Sequence, residues 1–221
     1  MAFVWDFSAV LQNYQVLLKG VGMTAFLWAI AFPASMLIGF AIALATGSRN
    51  KLLAAPGRVY VEVFRNTPVM IQLVWFFYAF PILTGHQLTP LVAALAGLIL
   101  NASAYCSEIF RGGLKSVPTG QWEGARALGM SHAQALRRII VPQVFSRMLP
   151  AFTNRGIELA KNTSIASVIA VQELMYQGRA LSSAFYRPLE ILTAVAVIYF
   201  LVIYPGSYAA SRLEKRFALR A

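Results

Sequence analysis

The chain has 221 residues, of which 58% are hydrophobic and 12% are charged, and its formal net charge is +11. Soluble domains carry about 25% charged residues, so 19 basic and 8 acidic side chains are too few to cover a globular core of this size. The composition also excludes a disordered chain, and it indicates an integral membrane protein. The single cysteine, Cys106, excludes an intrachain disulfide and a cysteine-based metal cluster.

Five apolar segments predict an all-α, polytopic membrane protein that forms one transmembrane domain over residues 1–221. A helix needs about 20 residues to cross a hydrocarbon core of about 30 Å. The predicted spans are residues 21–46, 67–82, 88–109, 139–160 and 190–211. Apolar residues between Phe7 and Leu18 recur at helical spacing. This segment is either a short amphipathic helix at the membrane interface or an extension of the first span.

A short loop joins the second and third spans. Residues 66–107 carry no Asp, Glu, Lys or Arg, and a polar patch around His86 divides them into the second and third spans. We assign no function to His86. Thr67 and Pro68 predict the start of the second span, with a hydroxyl cap and a proline in the first turn. Residues 162–172 are uncharged but too short to cross, so we expect a re-entrant or interfacial piece.

The basic residues orient the chain, because cytoplasmic loops carry an excess of Lys and Arg. With five spans, one side holds Arg49, Lys51, Arg58, Arg65, Arg111, Lys115, Arg126, Arg137, Arg138, Arg147, Arg212, Lys215, Arg216 and Arg220. The other side holds Lys19, Lys161, Arg179 and Arg187. The N-terminus is therefore predicted to lie outside and the C-terminus in the cytoplasm. Because the charge follows membrane topology, we expect membrane lipid, and no nucleic acid, as a partner.

The polar segment between the third and fourth spans contains a short helix followed by a sharp turn. Thr119 follows a proline and starts the helix, and Gly129 lies where a C-terminal glycine is expected. Ser131 and Gln134 have capping-box spacing and start a second helix. The residues that share one face of the first helix are Trp122, Ala125, Leu128 and Gly129. The helix lies either on the lipid headgroups or against a partner protein.

Residues 123–129 (EGARALG), followed after nine residues by Ile139 and then by Pro142, resemble the EAA loop of ABC importer permeases. Gly124 replaces the first alanine of that loop, and Val141 replaces its leucine. Three further segments resemble the polar amino acid branch of these permeases, the histidine-, glutamine- and glutamate-type importers. They are residues 64–73 (FRNTPVMIQL), 103–114 (SAYCSEIFRGGL) and 161–165 (KNTSI).

The resemblance implies the type I ABC importer permease fold, with five transmembrane helices and a cytoplasmic coupling helix at about residues 119–130. It also implies a second permease subunit (a homologous chain or this chain itself), two cytoplasmic ATPase subunits and a periplasmic amino acid binding protein. The residues implied to contact the ATPase are Gln121, Trp122, Glu123, Gly124, Ala125, Arg126, Leu128, Gly129 and Met130. The chain lacks a G-x-x-x-x-G-K-[ST] loop, so we expect ATP and Mg to bind the partner ATPase. We expect no cofactor and no enzymatic activity in this chain.

Charged residues interrupt the fourth predicted span, although a charge at the bilayer centre costs about 2.5–3.5 kcal/mol. Arg155 and Glu158 lie three residues apart on a helix and are predicted to face each other. They either neutralise each other and hold the helix bundle, or bind the carboxylate and ammonium groups of an amino acid. The predicted substrate-path residues are Asn101, Glu108, Arg155, Glu158, Lys161, Asn162 and Thr163.

Two of these residues have a structural alternative. Asn101 is a polar amide within the third span, and it either hydrogen-bonds across helices or meets the substrate. Glu108 lies near the cytoplasmic end of the same span with Arg111 three residues on, so the two form a structural ion pair or act in gating. The balance of charges predicts neither the charge class of the amino acid nor whether the two permeases are identical.

The sequence therefore predicts a permease subunit of a binding-protein-dependent importer in the bacterial inner membrane, with a periplasmic N-terminus. It would import a polar or charged amino acid, driven by ATP hydrolysis in partner subunits. The alternative is a stand-alone amino acid channel or secondary carrier, which the ionisable residues of the fourth span favour. The odd number of spans and the lack of an internal repeat argue against a carrier. An intramembrane enzyme is disfavoured because no metalloprotease or nucleophile motif occurs.

Overall fold

The computed structural model describes residues 5–218, and their side chains as far as Arg212. The described residues form α-helices and contain no β-strand. The helices are α1 (Ser8–Gln12), α2 (Tyr14–Gly47), α3 (Lys51–Asn66), α4 (Val69–Val74), α5 (Phe80–Thr84), α6 (Pro90–Lys115), α7 (Thr119–Ala127), α8 (His132–Ala135), α9 (Val141–Asn162), α10 (Leu174–Phe185) and α11 (Pro188–Ala218). Two π-helical turns, Trp75–Ala79 and Leu136–Ile140, join α4 to α5 and α8 to α9, and the 3-10 helix Thr163–Ile169 follows α9.

Three helices have the length and apolar composition to cross a membrane: α2, α6 and the Pro188–Arg212 part of α11. A fourth crossing results if α3 and the helix Val69–Thr84 are taken as one span, which bends by 107° at its break. α9 has 22 residues, and four charged side chains set it apart from the apolar helices. These five units follow the order of the five predicted spans.

The N-terminal segment is divided between a short separate helix and an extension of the first span. Residues 8–12 form the separate helix α1, whereas Tyr14 already belongs to α2, so residues 14–20 extend the first span. The side-chain amide of Asn13 donates to the carbonyl of Ala9 (2.9 Å) at the junction. The segment is held near the start of α11 by an ion pair between Arg187 Nη1 and Asp6 Oδ2 (2.5 Å).

The predicted start of the second span is wrong in detail. The helix begins at Val69, and Thr67 does not cap it, because its hydroxyl donates to the carbonyl of Val63 (2.8 Å) at the end of α3. The sequence did not predict α3, since charged residues on one face interrupt its apolar positions. Residues 67–82 are therefore only the second part of a broken helix pair.

α6 lies at the centre of the bundle, with 56% of its span buried. Small residues allow its neighbours to approach closely. A Cβ at Gly39 of α2 would lie 2.6 Å from Cβ of Cys106, and one at Gly97 would lie 2.4 Å from Cδ1 of Leu73. Close approach through small residues is typical of membrane helices. The polar residues in the middle of α6 consequently face other helices.

Residues 162–172, predicted as a re-entrant or interfacial piece, form the 3-10 helix and a turn. The turn is centred on Ala170, whose φ of 62° lies in the left-handed region. Thr163, Ala166 and Ile169 are buried, so this piece packs inside the bundle rather than on its surface. It leads into α10, which the sequence analysis left unassigned.

Candidate functional site

Helix α7 ends in a turn whose geometry is set by hydrogen bonds. The helix begins at Thr119, as predicted. At its other end Gly129 has a left-handed φ of 70°. The amide of Gly129 donates to the carbonyl of Arg126 (2.9 Å), and the amide of Met130 donates to that of Ala125 (3.0 Å). This is the Schellman arrangement, which favours a residue without Cβ, so the predicted role of Gly129 is confirmed.

A second helix starts directly after this turn. The Ser131 hydroxyl accepts from the amide of Gln134 (3.3 Å), and the Gln134 side chain accepts from the amide of Ser131 (2.9 Å). The predicted capping box is therefore present. The chain then stays helical through the π-helical turn Leu136–Ile140 into α9. A displacement of α7 can thus reach α9 through a short, capped turn.

One side of α7 packs on the bundle and the other is exposed. Ala125 is 1% exposed, and the Trp122 ring stacks on the His132 ring with 5.0 Å between centroids. Leu128 is 79% exposed. It was predicted to share the face of Trp122 and Ala125, but the helix ends at Ala127 and the turn directs Leu128 outward. The other predicted contact residues that are exposed are Gln121, Glu123, Gly124, Arg126 and Gly129, while Met130 is half-buried.

A polar network lies where the α3–α4 pair breaks, against the middle of α6. The break leaves the last carbonyls of α3 without helical partners. The carbonyl of Phe64 accepts from the side-chain amides of Asn101 (2.9 Å) and Gln72 (3.0 Å). The carbonyl of Arg65 accepts from the Tyr105 hydroxyl (3.2 Å). These side chains therefore supply the hydrogen bonds that backbone carbonyls inside a membrane cannot obtain from lipid.

Arg155 of α9 reaches this network from the opposite side. Arg155 is only 4% exposed. Its Nη2 donates to Oδ1 of Asn101 (2.8 Å), and its guanidinium group lies 4.1 Å from the centre of the Tyr105 ring. Its Nη1 is 2.9 Å from Oε2 of Glu158, which confirms that the two side chains face each other. That contact falls outside hydrogen-bond geometry, and Nε of Arg155 has no hydrogen-bond partner among the described residues. The buried guanidinium therefore keeps unused donor capacity.

The two glutamates of the predicted path differ in their surroundings. The Glu158 side chain is 56% exposed, so the ion pair with Arg155 is not buried as a unit. Glu108 accepts from Nε of Arg111 (2.8 Å) and is 3.5 Å from Nη1 of Arg65. A carboxylate held between two guanidinium groups from α3 and α6 ties these helices together, as the structural alternative for Glu108 expects.

Lys161 does not join this network. It lies six residues after Arg155, about 240° further around the helix. It faces a cavity of about 400 Å³ between α9 and α11, which we term the Lys161 cavity. The wall includes Ile157, Lys161, Ser164, Tyr199, Tyr204 and Ser207. A cation, hydroxyl groups and apolar surface are thus combined in one open site.

The last two predicted path residues lie where α9 ends. Thr163 is fully buried, and its hydroxyl donates to the carbonyl of Ala160 (2.8 Å). Asn162 is half-buried. The predicted set therefore divides, because Asn101, Arg155 and Glu158 come together whereas Lys161 lies on another face of α9.

Comparison with known proteins identifies this arrangement. Residues 37–219 match the family of binding-protein-dependent transport system inner membrane components. The chain belongs to this family. The permease is 37% identical over 205 residues to the octopine transport system permease protein OccM of Rhizobium meliloti, which covers 89% of this chain and 81% of that protein. It is 32% identical over 213 residues to the glutamine transport system permease protein GlnP of Escherichia coli, with coverage of 96% and 97%.

A solved structure agrees with the family assignment. A chain in the crystal structure of an amino acid ABC transporter with histidines matches the permease with a TM-score of 0.90 and 34% identity, and covers 97% of this chain and 100% of its own. The predicted all-α fold class and the type I importer permease fold are confirmed. The family and its apolar helices identify a multi-pass transport subunit of the inner membrane.

Sequence analysis missed several residues that the permease brings to these sites. Tyr199 and Tyr204 lie within the apolar run of α11. In the sequence of such a run, an aromatic residue that lines a cavity cannot be distinguished from one that faces lipid. The recurrence of Phe200, Tyr204 and Tyr208 every four residues was the available signal, and in the structure these rings form a stacked row. Arg65 was not predicted to take part in a site, because nothing in the sequence shows that α3 ends beside Tyr105.

Proposed function

We propose that the permease serves an importer of a polar or charged amino acid. It works in a complex with a second permease, which is a homologous chain or another copy, two cytoplasmic ATPases and a periplasmic binding protein. The relatives named for octopine and glutamine transport, and the solved amino acid transporter, support this substrate class. ATP and Mg bind the ATPases in this proposal, and the permease itself holds no cofactor.

The observation that carries the proposal is the exposed end of α7. Trp122 and Ala125 attach the helix to the bundle, whereas Glu123, Arg126 and Leu128 remain open to a partner. The hydrogen-bonded turn at Gly129 ends the helix and a capping box starts the next one, so this connection can transmit a displacement without unwinding. We propose that residues 121–130 form the coupling helix and its turn. Because Ala125 is buried, it supports this surface from behind rather than contacting the ATPase.

We further propose that the Lys161 cavity receives the amino acid. The Lys161 ammonium group can bind the substrate carboxylate, and the hydroxyl groups of the wall can accept from the substrate ammonium group. Glu158, 56% exposed at its side chain, is the path carboxylate that a solute reaches without disturbing the bundle. Asn101, Arg155 and Thr163 are buried and bonded, so they hold the helices around this route.

We propose a periplasmic N-terminus and a cytoplasmic C-terminus. The distribution of basic residues supports this orientation, because Lys115, Arg126, Arg137 and Arg138 all lie near α7 in the chain. Membrane lipid surrounds the bundle in this proposal. An apolar groove of about 480 Å³ lies between α2, α9 and α11, and none of the described residues in its wall is charged, which suits such surroundings.

The alternative, a stand-alone channel or carrier, makes the opposite prediction about ATP. The test is to purify the tagged permease with its co-purifying subunits, reconstitute it in liposomes with the binding protein, and measure uptake of radiolabelled L-glutamine and L-arginine. Uptake with ATP, and none with a non-hydrolysable analogue, supports the importer. Uptake by the permease alone along an ion gradient would establish the carrier.

A further inference from the structure

Glu173 is a fully buried carboxylate that the proposed transport mechanism does not yet use. It is 0% exposed and directly precedes α10. Its oxygens accept from the amides of Met175 (2.9 Å) and Tyr176 (2.8 Å), from the Tyr199 hydroxyl (2.5 Å) and from the Thr24 hydroxyl (3.4 Å). The four donors come from α2, α10 and α11.

None of the ion pairs among the described residues involves Glu173. A buried carboxylate without a cation is costly unless its oxygens are hydrogen-bonded. The amides at the start of α10 supply part of this stabilisation, as expected at a helix N-terminus. The Tyr199 hydroxyl supplies the shortest bond. Breaking that bond would leave buried carboxylate oxygen without its strongest donor.

Tight packing fixes the position of Glu173. A Cβ at Gly20 of α2 would lie 2.8 Å from Cα of Leu174, and one at Gly178 of α10 would lie 2.5 Å from Cγ2 of Val195. The amide of Leu174 also donates to the Thr24 hydroxyl (3.3 Å). α10 is therefore held close to both α2 and α11, so the carboxylate is a fixed acceptor for Tyr199.

The bond determines what Tyr199 offers to the Lys161 cavity. A phenol has one proton, and here that proton is donated to Glu173. The Tyr199 ring is thereby held in the cavity wall. Lys161 supplies a cation to the same cavity. Lys161 can bind the carboxylate of an amino acid, and the face of the Tyr199 ring can contact its ammonium group.

We propose that Glu173 is a positioning residue of the Lys161 cavity. By accepting the Tyr199 proton, it holds the Tyr199 ring in the cavity wall, against the ammonium group of the bound amino acid. This inference rests on the proposed function, since it requires that the cavity receives an amino acid. It adds a residue outside the predicted path, on the segment before α10, to the determinants of substrate binding.

The test measures binding to the permease–ATPase complex without the binding protein, so that the membrane site is observed directly. Equilibrium dialysis with radiolabelled L-glutamine and L-arginine gives the Kd for wild type, Glu173→Gln, Tyr199→Phe and the double variant. A hydrogen bond to a charged group is worth about tenfold in an equilibrium constant, and both single variants remove the bond that holds the Tyr199 ring in place, so each should weaken amino acid binding about tenfold in Kd. The double variant should be no weaker than either single variant, because both changes remove the same interaction.

Glu190→Gln is the matched control. Glu190 is also a buried carboxylate, at 4% exposed, and it lies nine residues before Tyr199 on α11, about 180° around the helix. The Kd of the Glu190→Gln variant for the amino acid should equal the wild-type value. The proposal is overturned if Tyr199→Phe leaves the Kd unchanged, if the two losses multiply in the double variant, or if Glu190→Gln weakens binding equally.

Failure of the proposed function gives a different pattern. If wild-type complex binds neither amino acid, thermal unfolding of the same four proteins still tests the pair. Non-additive losses in Tm would then show that Glu173 and Tyr199 interact. The lack of binding would still reject the cavity as an amino acid site. Additive losses would reject the link itself.

Discussion

Arg155 and Glu158 form one ion pair, but their side chains are 3% and 56% exposed. Replacing Arg155 by Gln should lower stability by about 1–3 kcal/mol, because it removes the charged donor to Asn101 and leaves buried polar groups underbonded. Replacing Glu158 by Gln should change stability by less than about 0.5 kcal/mol, since an exposed partner contributes little. Its effect should instead appear as altered substrate uptake. Thermal unfolding of the detergent-purified complex and uptake in liposomes measure the two effects.

Equal losses of stability for both variants would contradict this division and make the pair a purely structural tie. Unchanged uptake for Glu158→Gln would likewise remove Glu158 from the substrate path. Glu62→Gln is a suitable control, because Glu62 is an exposed carboxylate that bonds only to Asn66 of its own helix among the contacts described.

Gly129 tests the turn that follows α7. Its φ of 70° costs an L-residue about 1–2 kcal/mol, so Gly129→Ala should loosen the connection between α7 and α8. Gly120 is the matched control, since it lies in α7 outside residues 121–130 and an added Cβ meets nothing within 4 Å. In reconstituted complexes, Gly129→Ala should lower the number of amino acids imported per ATP hydrolysed, whereas Gly120→Ala should keep the wild-type ratio. Equal ratios in both variants would show that the turn does not couple the two reactions.

At the level of the helices, the sequence predicted those elements that are determined by the length of an apolar run or by capping residues. The span at 21–46 lies within α2, the span at 88–109 matches α6 from residue 90 onward, and the caps at Gly129 and Ser131 occur as expected. It did not predict α3 and α10, because amphipathic helices packed against other helices lack an apolar run of spanning length. It also assigned Arg155 and Lys161 to one path, since spacing along a chain does not show which neighbour each helix face meets.

Close packing between α2 and α10 supports a prediction at this level. Gly20→Ala would place Cβ 2.8 Å from the backbone Cα of Leu174, which cannot shift without moving α10. Such overpacking costs about 1–3 kcal/mol. Gly22→Ala, in the same helix, meets nothing within 4 Å and should be neutral or slightly stabilising. Thermal unfolding of both variants checks the difference, and a Gly20→Ala protein as stable as wild type would show that α10 is free to move.

In the molecule as a whole, one helix connects the two candidate sites. Residues 132–162 are continuously helical, from the capping box after α7 to the end of α9 beside the Lys161 cavity. At 1.5 Å per residue this helix is about 45 Å long. Arg155 attaches it to α6 near the cavity end, and the π-helical turn Leu136–Ile140 interrupts its regular winding near α7. A displacement at the cytoplasmic end can therefore reach the substrate cavity along a single element.

The orientation of the whole molecule and its contact with the ATPase can be tested together by cysteine labelling. The single native cysteine, Cys106, is 0% exposed and should remain silent toward a membrane-impermeant maleimide. Leu128→Cys, at a site 79% exposed, should be labelled in inside-out vesicles stripped of ATPase and protected once the ATPase is bound. Leu52→Cys, at a site 83% exposed near the start of α3, should be labelled in both states because it lies outside the coupling surface. Labelling of either variant in right-side-out vesicles would reverse the proposed orientation, and equal labelling of Leu128→Cys with and without ATPase would remove α7 from the coupling contact.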